Sequence, residues 1–381
     1  MTKILYLINS LSIGGAERQF VELIRGIRKT TDIDPIVATF EPSSQGFEGQ
    51  LRNIGVPMLL VKRRSKYDIG LVIKLIKIIR HWEIDIVHSF SVLAGCVGVM
   101  CGRLSGVRVI ASSIRNSKDA SFAEYCLIRV QGYLADYLVA NSRAGLTSRF
   151  KRVKSNFRVV YNGIDPARFK INHGELQLIR ERYRLSDYQH VVTMIASLSV
   201  YKDHDTLIEA APTVLSREPG TVFLLVGDGT ERPRLEKKVR KYGLEANFIF
   251  AGYTQNICEM LALSSVSVLM TNERLITEGL SNGLLESLAM GVPVIASAGG
   301  GTEEIVEDGK TGLLVKSFDS KGLADAILRL IIDVKQANRY GTEGRNSVES
   351  KFSYERYLSE YCRLYNDLMA HHGRQYSKNR D

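Results

Sequence analysis

Short aliphatic runs alternate with longer helix-patterned stretches along nearly all of this 381-residue chain. Strands are expected at 3–8, 34–40, 57–61, 84–88, 107–112, 137–140 and 158–161. A second series is expected at 191–197, 222–226, 247–250, 265–270, 292–297 and 312–315. Helical stretches separate these runs, and a parallel strand pair needs such a crossover, so the strands build parallel sheets covered by helices on both faces. The chain is thereby confined to α/β folds with doubly wound sheets. Its length suits two domains. The break is expected at Tyr161-Asn162-Gly163-Ile164-Asp165, giving domains at 1–164 and 165–352. Asn-Gly also suits a hairpin, but the polar helix-patterned stretch that follows favours a joint between domains.

Composition narrows the function classes. Hydrophobic residues at 45% and charged residues at 24% are values for a globular chain with a sizeable core. No run approaches the roughly 18 apolar residues of a membrane span, and 92–101, the longest candidate, contains two glycines. The run 4–8 is too short for a signal-peptide core and reads as a buried strand. Five cysteines, an odd number without a C-x-x-C pair, suggest reduced thiols in a cytoplasmic protein and argue against zinc. Charge is unevenly spread. Residues 1–185 hold 29 Lys/Arg against 15 Asp/Glu (+14), and 186–381 hold 22 against 26 (−4), which together make the net +10. The N-terminal half is therefore expected to face something anionic. Nucleic acid is disfavoured, because no aromatic–basic interleaving or binding motif appears.

The candidate chemistry centres on Glu278 and Glu286, separated by seven residues in Glu278-Gly-Leu-Ser-Asn-Gly-Leu-Leu-Glu286. The segment reads as a glycine-bearing loop entering a helix between two strands. Backbone N–H groups at such a helix start, with the dipole behind them, favour an anion such as a pyrophosphate. Carboxylates on either side can accept hydroxyl groups strongly. An anion flanked by hydroxyls describes a nucleotide-sugar.

The stretch EGLSNGLLESLAMGVPVIAS, followed by Gly299-Gly300-Gly301-Thr302-Glu303-Glu304, resembles the signature of the retaining glycosyltransferases of family 4. The resemblance runs from Gly14 to about Val315. It implies a GT-B architecture, in which two Rossmann-like domains face each other across a cleft. It also implies that a terminal helix at about 353–370 packs back on the N-terminal, acceptor-side domain, leaving 165–352 to bind the nucleotide-sugar. The implied activity is transfer of a hexose, from a UDP-sugar or less readily GDP-mannose, to a saccharide or lipid-linked acceptor in polysaccharide or lipopolysaccharide assembly. No metal or other cofactor is expected. The rival expectations are a same-fold nucleotide-sugar epimerase and a catalytically weak binding subunit.

Residue by residue, the resemblance gives Glu278 the donor-sugar hydroxyls, Glu286 the ribose, and the backbone of Asn282, Gly283, Leu284 and Leu285 the pyrophosphate, with Gly279 and Leu280 also among the donor-binding residues. Lys202 falls on the lysine of the family's Gly-Arg-Leu-x-x-x-Lys pattern, where it would neutralise the leaving pyrophosphate. Ser197 stands in place of the arginine. Arg115, after the strand at 107–112, is the candidate substitute catalytic cation, with an ion pair to Asp119 as the structural alternative. Gly14 and Gly15 resemble the glycine loop that contacts donor phosphate and acceptor. Gly227-Asp228-Gly229 resembles the family's VGDGP segment, with Thr230 replacing the proline. Tyr253 falls near the base. His88, with Phe90 replacing a second histidine, and Asn141-Ser142 are expected to support the site from behind. The D-x-D spacings at Asp32/Asp34 and Asp203/Asp205 are read as chance.

Lys62-Arg63-Arg64-Ser65-Lys66-Tyr67 leads into a helix expected at 69–81. There Lys74, Lys77 and His81 share one face and Leu71, Val72, Leu75, Ile76 and Ile79 the other. A basic helix with an apolar stripe can lie on an anionic membrane, so peripheral contact with the inner face of the cell membrane is expected here. A surface helix whose stripe is core is the alternative.

Overall fold

The computed structural model describes the chain except residues 44–45, 66–67, 119–120, 166–167 and 379–381, together with the side chains of 371–378. The chain divides into two compact units, Met1–Gly163 with Tyr354–Asp381, and Ile164–Ser353.

Unit 1 holds strands β1 (Thr2–Ile8), β2 (Ile33–Thr39), β3 (Met58–Leu60), β4 (Ile86–Ser89), β5 (Arg108–Ile114), β6 (Tyr137–Ala140) and β7 (Phe157–Val159). Between and after them lie α1 (Gly15–Thr30), α2 (Glu48–Arg52), α3 (Ile69–His81), α4 (Val92–Ser105), α5 (Phe122–Leu134) and α6 (Arg143–Thr147). The strands form one parallel sheet in the order β3-β2-β1-β4-β5-β6-β7. Helix starts follow local chemistry. Asp68, Ser91, Ser121 and Ser142 each accept a backbone N–H of the first turn of α3, α4, α5 and α6.

Unit 2 holds β8 (His190–Ile195), β9 (Thr221–Val226), β10 (Phe248–Gly252), β11 (Val266–Leu269), β12 (Val294–Ser297) and β13 (Gly312–Val315). Its helices are α7 (His173–Arg182), α8 (His204–Arg217), α9 (Arg232–Lys241), α10 (Ile257–Ala262), α11 (Asn282–Ala289), α12 (Thr302–Ile305), α13 (Ser320–Ile332) and α14 (Val334–Lys351). The sheet order is β10-β9-β8-β11-β12-β13, again parallel. Both sheets therefore reverse direction once, between β1 and β4 and between β8 and β11. Ligand crevices in such sheets open at that reversal, beyond the carboxyl ends of the strands.

The last helix, α15 (Tyr354–Lys378), belongs to unit 1. Tyr357, Tyr361, Leu364, Tyr365 and Leu368 are buried in the cluster that holds Tyr6, Phe20 and Phe90. The Tyr354 hydroxyl donates to Glu22 O and that of Tyr357 to Gln19 O, each at 2.9 Å. Gly26 on α1 permits this approach, because a β-carbon there would collide with the Tyr354 hydroxyl and the Leu358 methyls.

The α3 stripe expected to lie on a membrane is spent on the core. Leu71, Val72, Leu75 and Ile79 are buried against β2, β4 and α4, and Ile76 packs partly against the same cluster. What α3 turns outward is Ile69 and Ile73 among Lys74, Lys77 and Arg80. Lys66 and Tyr67 lie outside the described residues.

Two buried histidines make the fold sensitive to acid. Burial, with the Arg115 charge beside it, holds His88 well below the ordinary imidazole range. Burial first, with a smaller contribution from Lys202, pushes His204 down to about 4. The unfolded chain then binds more protons than the folded one below about pH 6.5. The stability of the neutral rings is complete above that pH and is lost as pH falls, for His204 down to about 4. Its share is on the order of 3 kcal/mol. Urea melts should therefore show a marked loss between pH 7.5 and 5, reduced in His204→Gln. Equal stability at the two pH values would refute this.

Candidate active site

In unit 2 the loop after β8 and the loop after β11 meet at the reversal of the sheet. Lys202 and Thr271 form a short antiparallel bridge, Asp203 N donates to Met270 O at 2.9 Å, and Asn272 N donates to Tyr201 O at 3.0 Å. This brings two expected residues together, since the Lys202 ammonium contacts the Glu278 carboxylate directly. Glu278 also accepts from the Thr271 hydroxyl at 3.0 Å. Burial alone would raise the Glu278 pKa. The Lys202 charge and the two hydrogen bonds outweigh it, so the carboxyl stays below its usual range and ionised. Glu278 O accepts from Gly301 N at 2.9 Å, which ties it to the glycine run before α12.

Helix α11 follows at once, its first turn directed into the same loops. Gly283 lies against β8, where a β-carbon would come within 2.9 Å of Ile195 O. Leu280, Leu284 and Leu285 are buried, so these positions can offer a ligand only their backbone. Gly279 and Glu286 are buried as well, and Asn282 is half-buried.

On the other side of β8, Ala196 N donates to Val226 O and Leu198 N to Asp228 O, both at 3.0 Å. Gly227 has φ 142°, open to glycine alone, and a β-carbon there or at Gly229 would strike the carbonyls of Ala196 or Leu198. These glycines thus let two loops lie backbone to backbone. Asp228 is exposed and accepts from Gly229 N at 2.8 Å, Thr230 is exposed, and Tyr253 stands exposed just after β10. Ser197 is exposed, its hydroxyl 3.1 Å from that of Ser199.

In unit 1, Gly14 and Gly15 join the β1 loop to α1, and the Glu17 side chain folds back over Gly14. Burial raises the Glu17 pKa and Arg115 opposes it. Arg115 follows β5 with its guanidinium carbon 4.9 Å from the Phe90 ring centre. Its Nε and one terminal nitrogen are sealed from solvent and have no hydrogen-bond partner among the described residues. Asp119, the alternative partner, lies outside them. Asn141 is buried and donates to Arg115 O at 3.4 Å. His88 is fully buried, with Nδ1 2.8 Å from the Tyr365 hydroxyl and Nε2 2.7 Å from the Ser112 hydroxyl. Tyr365 in turn is 3.0 Å from the Tyr6 hydroxyl.

Three of the four D-x-D carboxylates have structural partners. Asp34 pairs with Arg28, Asp203 caps α8, and Asp205 pairs with Arg234 and Lys238. Among the described residues, no group of three or more His, Cys, Asp or Glu is placed to hold a metal ion. Sequence reasoning missed Thr271 and Ser297, whose hydroxyl accepts from Thr271 N at 3.1 Å. Their signal was positional, since each stands where a strand ends beside the reversal of the sheet.

Comparison with known proteins agrees with this geometry. Residues 13–168 match the model of Glycosyltransferase Family 4, and residues 177–347 match that of Glycosyl transferases group 1. The chain is 27% identical over 313 residues to N-acetyl-alpha-D-glucosaminyl L-malate synthase of Bacillus anthracis, covering 80% of each protein. It is 24% identical over 383 residues to UDP-Gal:alpha-D-GlcNAc-diphosphoundecaprenol alpha-1,3-galactosyltransferase of Escherichia coli, covering 93% of this chain and 97% of that one. The fold matches that of HepE from Anabaena, solved with UDP and glucose, at a TM-score of 0.84 and 21% identity, over 96% of this chain and 100% of that one. Two parallel-sheet α/β units and two family models that together span most of the sequence lead to one conclusion: the chain has the GT-B fold and belongs to the family 4, group 1 glycosyltransferases.

Proposed function

We propose that the protein is a retaining hexosyltransferase using a nucleotide-sugar, with UDP-sugars favoured over GDP-mannose, on a saccharide or lipid-linked acceptor in surface polysaccharide or glycolipid assembly. The observation that carries this reading is the Lys202–Glu278–Thr271 cluster beside the first turn of α11. A cation and a helix N-terminus there suit the departing pyrophosphate, and an ionised carboxylate suits donor-sugar hydroxyls. Glu286 holds the ribose. Gly14, Gly15, Gly229 and Tyr253 contribute to donor binding, and His88 and Asn141 support unit 1 from behind. The reaction takes place on the cytoplasmic side of the membrane. The two relatives named above act on GlcNAc-containing products or acceptors, and one of them uses UDP-Gal. The test is a thermal-shift screen of UDP-, GDP-, ADP- and dTDP-sugars, followed by product analysis with the anomeric configuration determined. Stabilisation by none of them, or an inverted product, would sink the reading. A nucleotide-sugar changed without an acceptor would instead indicate an epimerase.

The lysine and the helix N-terminus take the part that a metal ion plays in other glycosyltransferases. EDTA is therefore expected to leave the rate unchanged. A chelated enzyme that loses activity and regains it with Mg²⁺ or Mn²⁺ would contradict this.

Ser197 leaves one expected cation missing, and a catalytically weak subunit is the rival reading that this favours. Arg115, with two guanidinium nitrogens unbonded among the described residues, is proposed to supply the missing charge. Arg115→Ala should lower turnover sharply, and Ser197→Arg should restore part of it in the double variant, with donor affinity measured separately. A harmless Arg115→Ala would make Arg115 structural, and a double variant no better than the single one would end the compensation idea.

A further inference from the structure

Helix α5 is unlike the other long helices of unit 1. It buries only Ile128, Gln131 and Gly132, and every exposed position along it is uncharged and apolar in character. Phe122, Cys126, Val130 and Tyr133 form the crest, with Leu127 and Leu134 beside them. At 3.6 residues per turn they cover an arc of roughly 140°. Phe122 is 81% exposed and Tyr133 63%. The patch continues onto α4, which packs against α5. Met100 and Leu104 are exposed there, and Arg103 donates to Leu134 O at 2.6 Å. A continuous exposed apolar face of this kind marks an interaction surface.

The rim of the face indicates what covers it. The segment from Arg149 to Asn156 runs alongside α5, held by Arg129 donating to Arg149 O at 3.2 Å and by Asn156 donating to Ala135 O at 3.2 Å. It carries Lys151, Arg152 and Lys154, all exposed, together with the exposed Val153. None of the three cations forms an ion pair among the described residues. The Lys154 ammonium stands 3.4 Å above the centre of the Tyr133 ring, so an aromatic and a cation sit together at the edge of the apolar face. Apolar side chains ringed by unpaired lysine and arginine fit the boundary between acyl chains and anionic headgroups. A second copy of the same face would instead bring like charges together.

We propose that unit 1 docks on anionic lipid bilayers through the outer face of α5, with Phe122, Val130 and Tyr133 entering the headgroup boundary and Lys151, Arg152 and Lys154 pairing with anionic headgroups. This deepens the membrane side of the function proposed above, and it replaces α3 as the docking element, since the α3 stripe is core. It is tested without donor or acceptor, so its fate is separate from that of the transfer reaction.

The full-length protein should co-sediment with phosphatidylglycerol–phosphatidylcholine vesicles, poorly with phosphatidylcholine alone, and less as salt is raised. Phe122→Ser with Val130→Ser, and separately Lys151→Gln with Arg152→Gln and Lys154→Gln, should each weaken partition about tenfold or more. Lys74→Gln with Lys77→Gln should change it little. Cys126, the one exposed cysteine, gives a reading on the native sequence. An environment-sensitive dye on it should shift to the blue when anionic vesicles are added. The proposal falls if wild type ignores anionic vesicles, if the α5 and rim variants bind as wild type does, or if the dye stays silent while the protein binds. It falls equally if the α5 variants turn a dimer into monomers without changing vesicle binding, which would make a second copy the occupant.

Discussion

Lys202→Ala is expected to slow turnover by about 10²- to 10³-fold, equivalent to about 2.7–4 kcal/mol, the size found when a donor that stabilises developing negative charge is removed. Two effects combine. The ammonium would no longer meet the charge gathering on the leaving phosphate. Glu278 would also lose the cation that offsets its burial, so its carboxyl would rise towards a neutral form less able to hold sugar hydroxyls. Folding should suffer less than the chemistry. The two side chains retain 18% and 15% of their exposure, and the Thr271 hydroxyl remains as a partner for Glu278. The penalty therefore stays below the ~3–5 kcal/mol of a fully buried pair with one member removed. Steady-state kinetics beside a urea melt separates the two effects. A variant with near wild-type kcat would remove Lys202 from the reaction, and one that fails to fold would make the pair chiefly structural. Glu278→Gln is a useful companion, since it keeps the shape but lacks the charge that Lys202 meets.

Tyr365→Ala should destabilise unit 1 by about 3–5 kcal/mol, as removal of a buried aromatic ring generally does. The ring is 1% exposed and lies within 6.3 Å, centre to centre, of Tyr6 and Tyr361. Its hydroxyl links Tyr6 to His88. Tyr365→Phe keeps the ring and leaves those two groups short of a partner, so it should cost less, about 1–3 kcal/mol. In calorimetry the shift belongs to unit 1 alone, because α15 contributes to that core and not to unit 2. For a unit of this size the alanine variant should melt lower by about 6–20 °C. A thermogram like that of wild type would show that α15 is not needed for the core it enters.

Much of this was legible in the sequence because buried parallel strands are nearly continuous aliphatic runs. The strand expected at 107–112 lies at Arg108–Ile114, and the helix expected at 69–81 lies at Ile69–His81. The Glu278–Glu286 segment announced itself through glycine spacing. Other features were hidden for a physical reason. Periodicity says which residues share a face but not whether another element covers that face. Helix α3 has the better basic-amphipathic pattern, yet its stripe is core. Helix α5, whose pattern is weaker, keeps its apolar side in the open. The contact of Lys202 with Glu278 was equally out of reach, since the sequence pattern gives each a ligand of its own. Only the bridge between the β8 and β11 loops brings their side chains together.

The return of α15 has a consequence for how the molecule is made. Unit 2 is one unbroken stretch, Ile164–Ser353, whereas unit 1 is assembled from both ends of the chain. Synthesis runs from the N-terminus, so the half that emerges first is the half completed last. While unit 2 is being translated and can already close, Tyr6 and Phe20 wait for Tyr357, Tyr361 and Tyr365. A nascent chain therefore carries an unfinished apolar core throughout the synthesis of unit 2, the condition in which chaperones are recruited and aggregation begins. A chain cut short within α15 would leave unit 2 intact and unit 1 open to proteases, so its degradation should stop at a fragment whose ends lie close to Ile164 and Ser353.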